Sequence, residues 1–113
     1  MHVQIVNFNL KGLTDAEFRS MANEVAPAFA SVPVLLSKLW LADAGKNTYG
    51  GVYIWQDAAA MQAHLASDLG KGVAGNPKFA NLTSRDFEML SGPTRGSGGR
   101  VAASLAATAG LAS

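Results

Sequence analysis

The chain contains no cysteine, and this absence excludes several kinds of chemistry at once. Disulfides, thiolate metal ligands and a thiol nucleophile all require that residue. The only histidines are His2 and His64, and no acidic pair has the spacing of a metal site. Glycine-rich motifs that cradle phosphates or dinucleotides are absent as well. We therefore expect a protein that needs no metal and no other cofactor.

Charge is also scarce, at 15% of residues, and the nine basic and eight acidic side chains are scattered along the chain. Without a basic run, no nucleic-acid or anionic-membrane partner is expected. No apolar run approaches the ~20 residues of a membrane-spanning helix, and the first ten residues lack the basic start of a signal peptide. These features predict a cytoplasmic location.

Large apolar residues are concentrated in residues 34–55, which include both tryptophans and both tyrosines. Two runs rich in aliphatic and aromatic residues flank Ala-Gly-Lys-Asn at 44–47, a composition typical of a turn, so a β-hairpin is predicted. A four-residue loop closed by Asp43 and Thr48 fixes the register of the hairpin. That register predicts the cross-strand pairs Lys38–Tyr53, Trp40–Gly51 and Leu36–Trp55 on one face, and Leu39–Val52 and Ser37–Ile54 on the other.

The two faces of this hairpin differ in chemistry. One is aliphatic, whereas the other carries a lysine, three aromatic rings and Gly51, which leaves room beside Trp40. Lys38 has two interpretations: a solvent-facing lysine that protects an edge strand, or a cation at the rim of a pocket. The rings of Trp40, Tyr53 and Trp55 are either core or the aromatic wall of a small-molecule pocket.

The rest of the chain supplies two further strands and two helices. Residues 3–9 alternate as a strand, and Thr14 with Glu17 forms a capping box that starts a helix in which Pro27 predicts a kink or an early end. Asp57 is a good N-cap for a second helix, from 58 to about 69.

Glycines at 70, 72 and 75 are expected to break the second helix into a loop, and residues 81–90 to form the last strand. The order β-α-β-β-α-β predicts an α+β, ferredoxin-like domain over residues 1–90, with an antiparallel four-stranded sheet and two helices on one face. Residues 91–113 then form a Gly/Ser-rich linker and an alanine-rich tail, which either is frayed or rests on a partner subunit. Because the other sheet face is apolar and uncovered, we expect a homodimer.

Several of these residues resemble a known family. The pattern P-x-x-x-x-K-x-W at 33–40, G-G-V-Y-I-W at 50–55 and A-H-L at 63–65 is similar to the YdhR-like family of proposed monooxygenases, in the dimeric α/β-barrel superfamily. The resemblance covers roughly residues 3–90. It implies the ferredoxin-like unit, dimers joined sheet to sheet, and oxygenation of aromatic compounds without metal or flavin.

The mechanism implied by the resemblance is reaction of a small phenolic or anthrone-like substrate, held as its anion, directly with oxygen. Lys38 would stabilise the anion, and Asn7, Tyr53 or His64 would orient or deprotonate the substrate. The substrate-binding residues would be Leu36, Trp40, Gly51 and Trp55.

Two alternatives remain open at the level of sequence. One is a non-catalytic dimeric barrel that binds apolar small molecules. The other is the haem-degrading branch of the superfamily, whose site residues would fall on Asn7, His64 and Ala74, so that the asparagine is kept and the iron ligand is not.

Overall fold

A computed structural model describes residues 1–98 and has the predicted α+β architecture. The sheet is antiparallel throughout, with strand order β2-β3-β1-β4. The elements are β1 (His2–Leu10), α1 (Asp15–Ala30), β2 (Leu35–Asp43), β3 (Thr48–Trp55), α2 (Ala58–Ala66), α3 (Asp68–Ala74), β4 (Phe79–Glu88) and α4 (Ser91–Gly96). Within residues 1–98, none of the helices has the length and apolar character to cross a membrane.

The core lies between the helices and one face of the sheet. On β1, Gln4, Val6 and Phe8 are buried and alternate with partly exposed residues, as the two-residue period of a strand requires. The buried hydrophobic residues are Val6, Phe8, Phe18, Phe29, Tyr49, Tyr53, Trp55, Ala60 and Met61. The buried residues of the two central strands, β1 and β3, thus identify the sheet face that contacts the helices.

The hairpin has the predicted register over most of its length. Lys38 pairs with Tyr53, Trp40 with Gly51, and Asp43 with Thr48. The pairing predicted for Leu36 is wrong, because the register shifts between Leu35 and Ser37 and it is Leu35 that lies opposite Trp55. Such a β-bulge places an extra residue in one strand, and that residue here is Leu36.

Helix α1 begins with the predicted capping box. The Thr14 hydroxyl accepts from the Glu17 amide, and the Glu17 carboxylate accepts from the Thr14 amide. The expected early end at Pro27 is wrong, since the helix continues to Ala30. Proline leaves the carbonyl four residues earlier, that of Asn23, without its helical donor. Both residues are exposed, so water can satisfy that carbonyl.

The second helical region differs from the prediction of one helix followed by a loop. Helix α2 ends at Ala66, and Ser67 caps a new helix, α3, through a bond from the Gly70 amide to its hydroxyl. A Cβ on Gly70 would lie 2.2 Å from the His64 carbonyl oxygen, so this tight junction requires glycine at position 70.

The end of the described chain also departs from expectation. Strand β4 begins at Phe79 and ends at Glu88, about two residues earlier than predicted at each end. Residues 91–96, predicted as linker, form the short helix α4. The alanine-rich tail from residue 100 onward lies outside the described residues.

Candidate functional site

A cavity of about 230 Å³ lies between the sheet and helices α1 and α3. Its wall is mainly apolar and aromatic, as is usual for small-molecule sites. The lining residues are Val6, Phe8, Phe18, Met21, Val25, Phe29, Lys38, Trp40, Gly50, Gly51, Tyr53, Asp68, Leu69, Gly72, Val73, Asn76 and Phe79. Lys38 is the one basic residue among them.

The Lys38 amine lies inside an aromatic cage formed by Phe29, Trp40 and Tyr53. Its Nζ is 3.3 Å from the ring centroid of Phe29, 3.6 Å from that of Trp40 and 4.5 Å from that of Tyr53. Within residues 1–98, Lys38 makes no salt bridge. This geometry favours the pocket interpretation of Lys38 over that of a solvent-facing edge lysine.

Two opposing effects act on the charge of Lys38. Burial away from water lowers the pKa of Lys38 to about 7. The ring faces of the cage attract the ammonium form, by about 0.5 to 2 kcal/mol for a ring contact. The amine can therefore exist as neutral base or as cation near neutral pH, and a bound anion would favour the cation.

The sequence predicts that Gly51 leaves room beside Trp40. In the structure, the Lys38 side chain occupies that room. A Cβ at this position would lie 3.1 Å from the Lys38 Cε and 3.3 Å from the Leu39 carbonyl oxygen. The lysine side chain thus lies over the glycine, and its methylene groups fill the room that the missing side chain provides.

Trp40 and Tyr53 form the wall around the amine, as predicted for residues that share a face with Lys38. Trp40 is 37% exposed and meets Phe29 edge to face, with ring centroids 5.5 Å apart. Tyr53 is 4% exposed, and burial raises the pKa of its phenol to about 12. Its hydroxyl therefore stays protonated at neutral pH and can donate a hydrogen bond to a ligand.

Trp55 belongs to the core beneath the site and does not line the cavity, contrary to its predicted substrate-binding role. It is fully buried, and its Nε1 donates to Gln4 Oε1 over 3.0 Å. Gln4 Nε2 in turn donates to the Ser84 hydroxyl over 2.9 Å. These bonds fix the indole against which the Tyr53 ring stacks, with ring centroids 5.7 Å apart.

Two other predicted site residues are not among those that line the cavity. Leu36 is at the bulge and is not part of the lining. Asn7 stands between Val6 and Phe8, which both line the cavity, so strand alternation places its side chain on the opposite sheet face. Asn7 Nδ2 donates to the Tyr49 carbonyl over 3.5 Å.

His64 is buried behind Tyr53, outside the wall of the main cavity. Its ring lies 4.9 Å from Trp55 and 5.9 Å from Tyr53, centroid to centroid. Burial lowers the pKa of His64, and the charge of Lys38 lowers it further. Its Nδ1 is buried without a hydrogen-bond partner among the described residues. His64 instead lines a separate space of about 40 Å³ that shares Val6, Tyr53 and Val73 with the main cavity.

Sequence reasoning placed the pocket between sheet and helices but did not identify the helical residues that line it. On α1, Met21 and Val25 line the cavity. Asp68 and Asn76, which add polar atoms to the wall, lie on α3 and just beyond it. The positions of Asp68 and Asn76 could not be predicted, because they depend on the break at Ser67 that separates α2 from α3.

Comparison with known structures shows the same fold at low identity. SnoaB (N63A mutant), a cofactor-independent oxygenase from Streptomyces nogalater, is 24% identical with a TM-score of 0.62, covering 79% of this chain and 93% of that one. The haem degrader MhuD of Mycobacterium tuberculosis, with two haems in its active site, is 22% identical with a TM-score of 0.64, covering 80% and 96%. A protein of unknown function from Nitrosomonas europaea is 18% identical with a TM-score of 0.65, covering 79% and 88%.

Sequence comparison identifies the family. No curated protein matches the chain significantly. The family model described as "Putative mono-oxygenase ydhR" matches residues 3–100, most of the chain. The matched range includes the whole ferredoxin-like domain described above except its first two residues, and it contains the motifs around Lys38, Gly50 and His64. The chain therefore belongs to the ydhR mono-oxygenase family.

Proposed function

We propose that the protein is a cofactor-independent monooxygenase that acts on small aromatic or phenolic compounds in the cavity between sheet and helices. The observation that carries the proposal is the Lys38 amine, which faces a ring-lined cavity and has no carboxylate partner within residues 1–98. An apolar wall with one cation suits a flat, ionisable aromatic ligand. Membership of the family supports the same class of reaction.

The proposed reaction uses the reactivity of the substrate itself. An anthrone-like CH₂ group loses a proton, and the resulting carbanion adds oxygen to give a peroxide anion. This anion takes the proton back and becomes a hydroperoxide. Loss of water then leaves a carbonyl, so one oxygen atom enters the product and the other leaves as water. The ring-lined wall keeps solvent from the anion and strengthens its electrostatic interactions.

Lys38 serves this reaction in two successive states. Because its pKa is about 7, the neutral amine is available to accept the substrate proton. The ammonium so formed then stabilises the anion, and the protonated Tyr53 hydroxyl donates a hydrogen bond to it. Asn7 and His64 are less well placed, since neither lines the main cavity. We therefore propose Lys38 as the base, a role that the resemblance had implied for Asn7, Tyr53 or His64.

Oxygen consumption tests the proposal directly. With anthrones and polycyclic phenols as substrates, we expect uptake that persists in chelator and a kcat/KM that rises with pH through about 7, as Lys38 loses its proton. Lys38→Met should lower the rate ~10² to 10³-fold, because loss of one electrostatic partner of a developing anion typically has that effect.

The matched control is Lys46→Met, which removes an exposed lysine from the hairpin turn and should leave the rate unchanged. Uptake no faster than in buffer, or equal rates for the parent and Lys38→Met, would instead favour the non-catalytic barrel that binds apolar molecules.

The haem-degrading alternative does not fit the donor groups of this site. Of the residues expected from that branch, Asn7 lies on the other face of the sheet and Ala74 offers no ligating atom. His64 is buried among rings outside the main cavity. No step is therefore assigned to haem.

We also infer that the protein is a homodimer joined through the uncovered sheet face. This face carries Val3, Ile5 and Val52, which are only partly buried, and Leu39 and Phe87, which are 55% and 53% exposed. Exposed apolar side chains concentrated on one sheet face are typical of an interaction surface. A second copy of the chain would cover it with an equally apolar face, with twofold symmetry.

Sedimentation analysis at low micromolar concentration is expected to give a dimer. Leu39→Glu should shift it to a monomer, because a carboxylate would be buried without a partner. Gln62→Glu places the same charge on the exposed surface of α2 and should leave the dimer intact. A stable monomer for the parent chain would contradict the inference.

A further inference from the structure

Lys38 differs from the other four lysines of the chain in its surroundings. Lys11, Lys46, Lys71 and Lys78 are exposed, whereas the Lys38 amine is enclosed by three rings and faces a cavity of about 230 Å³. Of the titratable groups near it, Tyr53 on β3 and His64 on α2 are both held neutral by burial. Asp68 on α3 lines the same cavity but makes no ion pair with Lys38.

These surroundings are those of a reactive amine. A lysine that is desolvated in a hydrophobic pocket, with no carboxylate to hold it as ammonium, can act as a nucleophile toward carbonyl compounds. The cavity beside the amine is lined by rings on several sides, among them Phe8, Phe18 and Phe79. An aromatic group would therefore fill the space that the amine faces.

We propose that Lys38 is a covalent carbonyl-binding site, which captures aromatic aldehydes from the cavity as an imine. The Nζ lone pair attacks the carbonyl carbon, and the C=O double bond opens to a hydroxyl group that takes up a proton from the nitrogen. The carbinolamine then loses water as the C=N bond forms. One amine and one aldehyde thus give one imine and one water, without any oxidant or reductant. This property is independent of oxygen chemistry and can hold whether or not the protein is a monooxygenase.

The test is imine trapping in the folded protein with benzaldehyde and sodium cyanoborohydride, followed by peptide mapping of every amine. At pH 7, we expect benzyl adducts at Lys38 to exceed those at Lys46 by ~10-fold or more, since a much larger fraction of Lys38 is neutral than of an ordinary lysine with a pKa of about 10.4. Lys38 and Lys46 react in the same sample. The ratio of their adducts is therefore unaffected by any change in the activity of the reductant with pH.

The pH dependence of this ratio separates reactivity from simple access. Lys38, with its pKa of about 7, gains little neutral amine between pH 7 and 9. Exposed lysines with the usual pKa of about 10.4 gain far more neutral amine over the same range, so the Lys38:Lys46 ratio should fall by about 10-fold or more. A ratio that stays constant, or adducts at Lys38 no more abundant than at Lys46 at pH 7, would overturn the proposal.

Selectivity for the aldehyde tests the role of the cavity. Replacing benzaldehyde by glycolaldehyde should lower adducts at Lys38 at least several-fold relative to those at the Met1 α-amino group, which lies outside the cavity. Trp40→Leu, which removes one wall of the cage, should weaken this preference, whereas Leu90→Ala, which removes an exposed side chain outside the cavity, should not. Equal preference for the two aldehydes at Lys38 and Met1 would show that the cavity does not select the carbonyl compound.

Discussion

Replacing Gly50 by alanine is expected to destabilise the fold strongly. A Cβ at this position would lie 1.8 Å from the Val6 carbonyl oxygen and 3.0 Å from the Asn7 Cα. These are backbone atoms of the adjacent central strand, so no side chain can rotate to relieve the overlap. Overpacking and backbone strain each cost about 1 to 3 kcal/mol, and the sum is a large part of the 5 to 15 kcal/mol that stabilises a typical domain.

Gly12→Ala is the matched control for Gly50→Ala. Gly12 also has a positive φ, of 68°, but nothing lies within 4 Å of a Cβ built there. Alanine should therefore cost only the local penalty of the left-handed conformation, about 1 to 2 kcal/mol. Circular dichroism with thermal melting measures both variants. A cooperative melt of Gly50→Ala within a few degrees of the parent would show that the two strands can separate to admit a side chain.

The two tryptophans of the hairpin are expected to differ in their response to alanine substitution. Trp55→Ala should lower the free energy of unfolding by ~3 to 5 kcal/mol, because the indole is fully buried and bonded to Gln4. Trp40 is 37% exposed and borders the cavity, so Trp40→Ala should cost clearly less. It should, however, weaken the binding of 1-naphthoate, an aromatic anion that suits the cage around Lys38.

Urea denaturation and fluorescence titration with 1-naphthoate provide the comparison. The prediction for Trp40 is contradicted if its alanine variant is destabilised as much as Trp55→Ala while the folded fraction binds 1-naphthoate as the parent does. Trp40 would then belong to the core. Trp55→Phe keeps an aromatic ring but leaves the Gln4 oxygen without its donor, and it separates the packing contribution from that of the hydrogen bond.

The composition of the turn and the strand alternation were sufficient to predict which hairpin residues share the face that borders the cavity. Asp43 and Thr48 close the turn as expected, and this fixes Lys38, Trp40 and Tyr53 on one face through the two-residue period of strands. The same alternation argues against Asn7 in the site, because Val6 and Phe8 are the β1 residues on the helical side. Its assignment came from resemblance alone.

The features that could not be predicted depend on tertiary contacts. The bulge at Leu36 changes the alternation without any glycine or proline to mark it. Gly70 was interpreted as a helix breaker, whereas the structure uses its missing side chain to bring α3 against the end of α2. The depth of Trp55 depends on Gln4, a polar residue whose burial between Trp55 and Ser84 no local pattern indicates.

The bulge at Leu36 also bears on the resistance of the sheet to aggregation. Strand β2 is at one edge of the sheet, where its free amide and carbonyl groups could template the addition of a strand from another molecule. Lys38 cannot prevent this, because its side chain is held in the cage on the helical side. An extra residue interrupts the regular spacing of those groups and increases the local twist. An incoming straight strand can therefore pair with only part of β2, and the irregular edge opposes fibril-like stacking. The sheet face that the helices leave uncovered stays available for a specific partner.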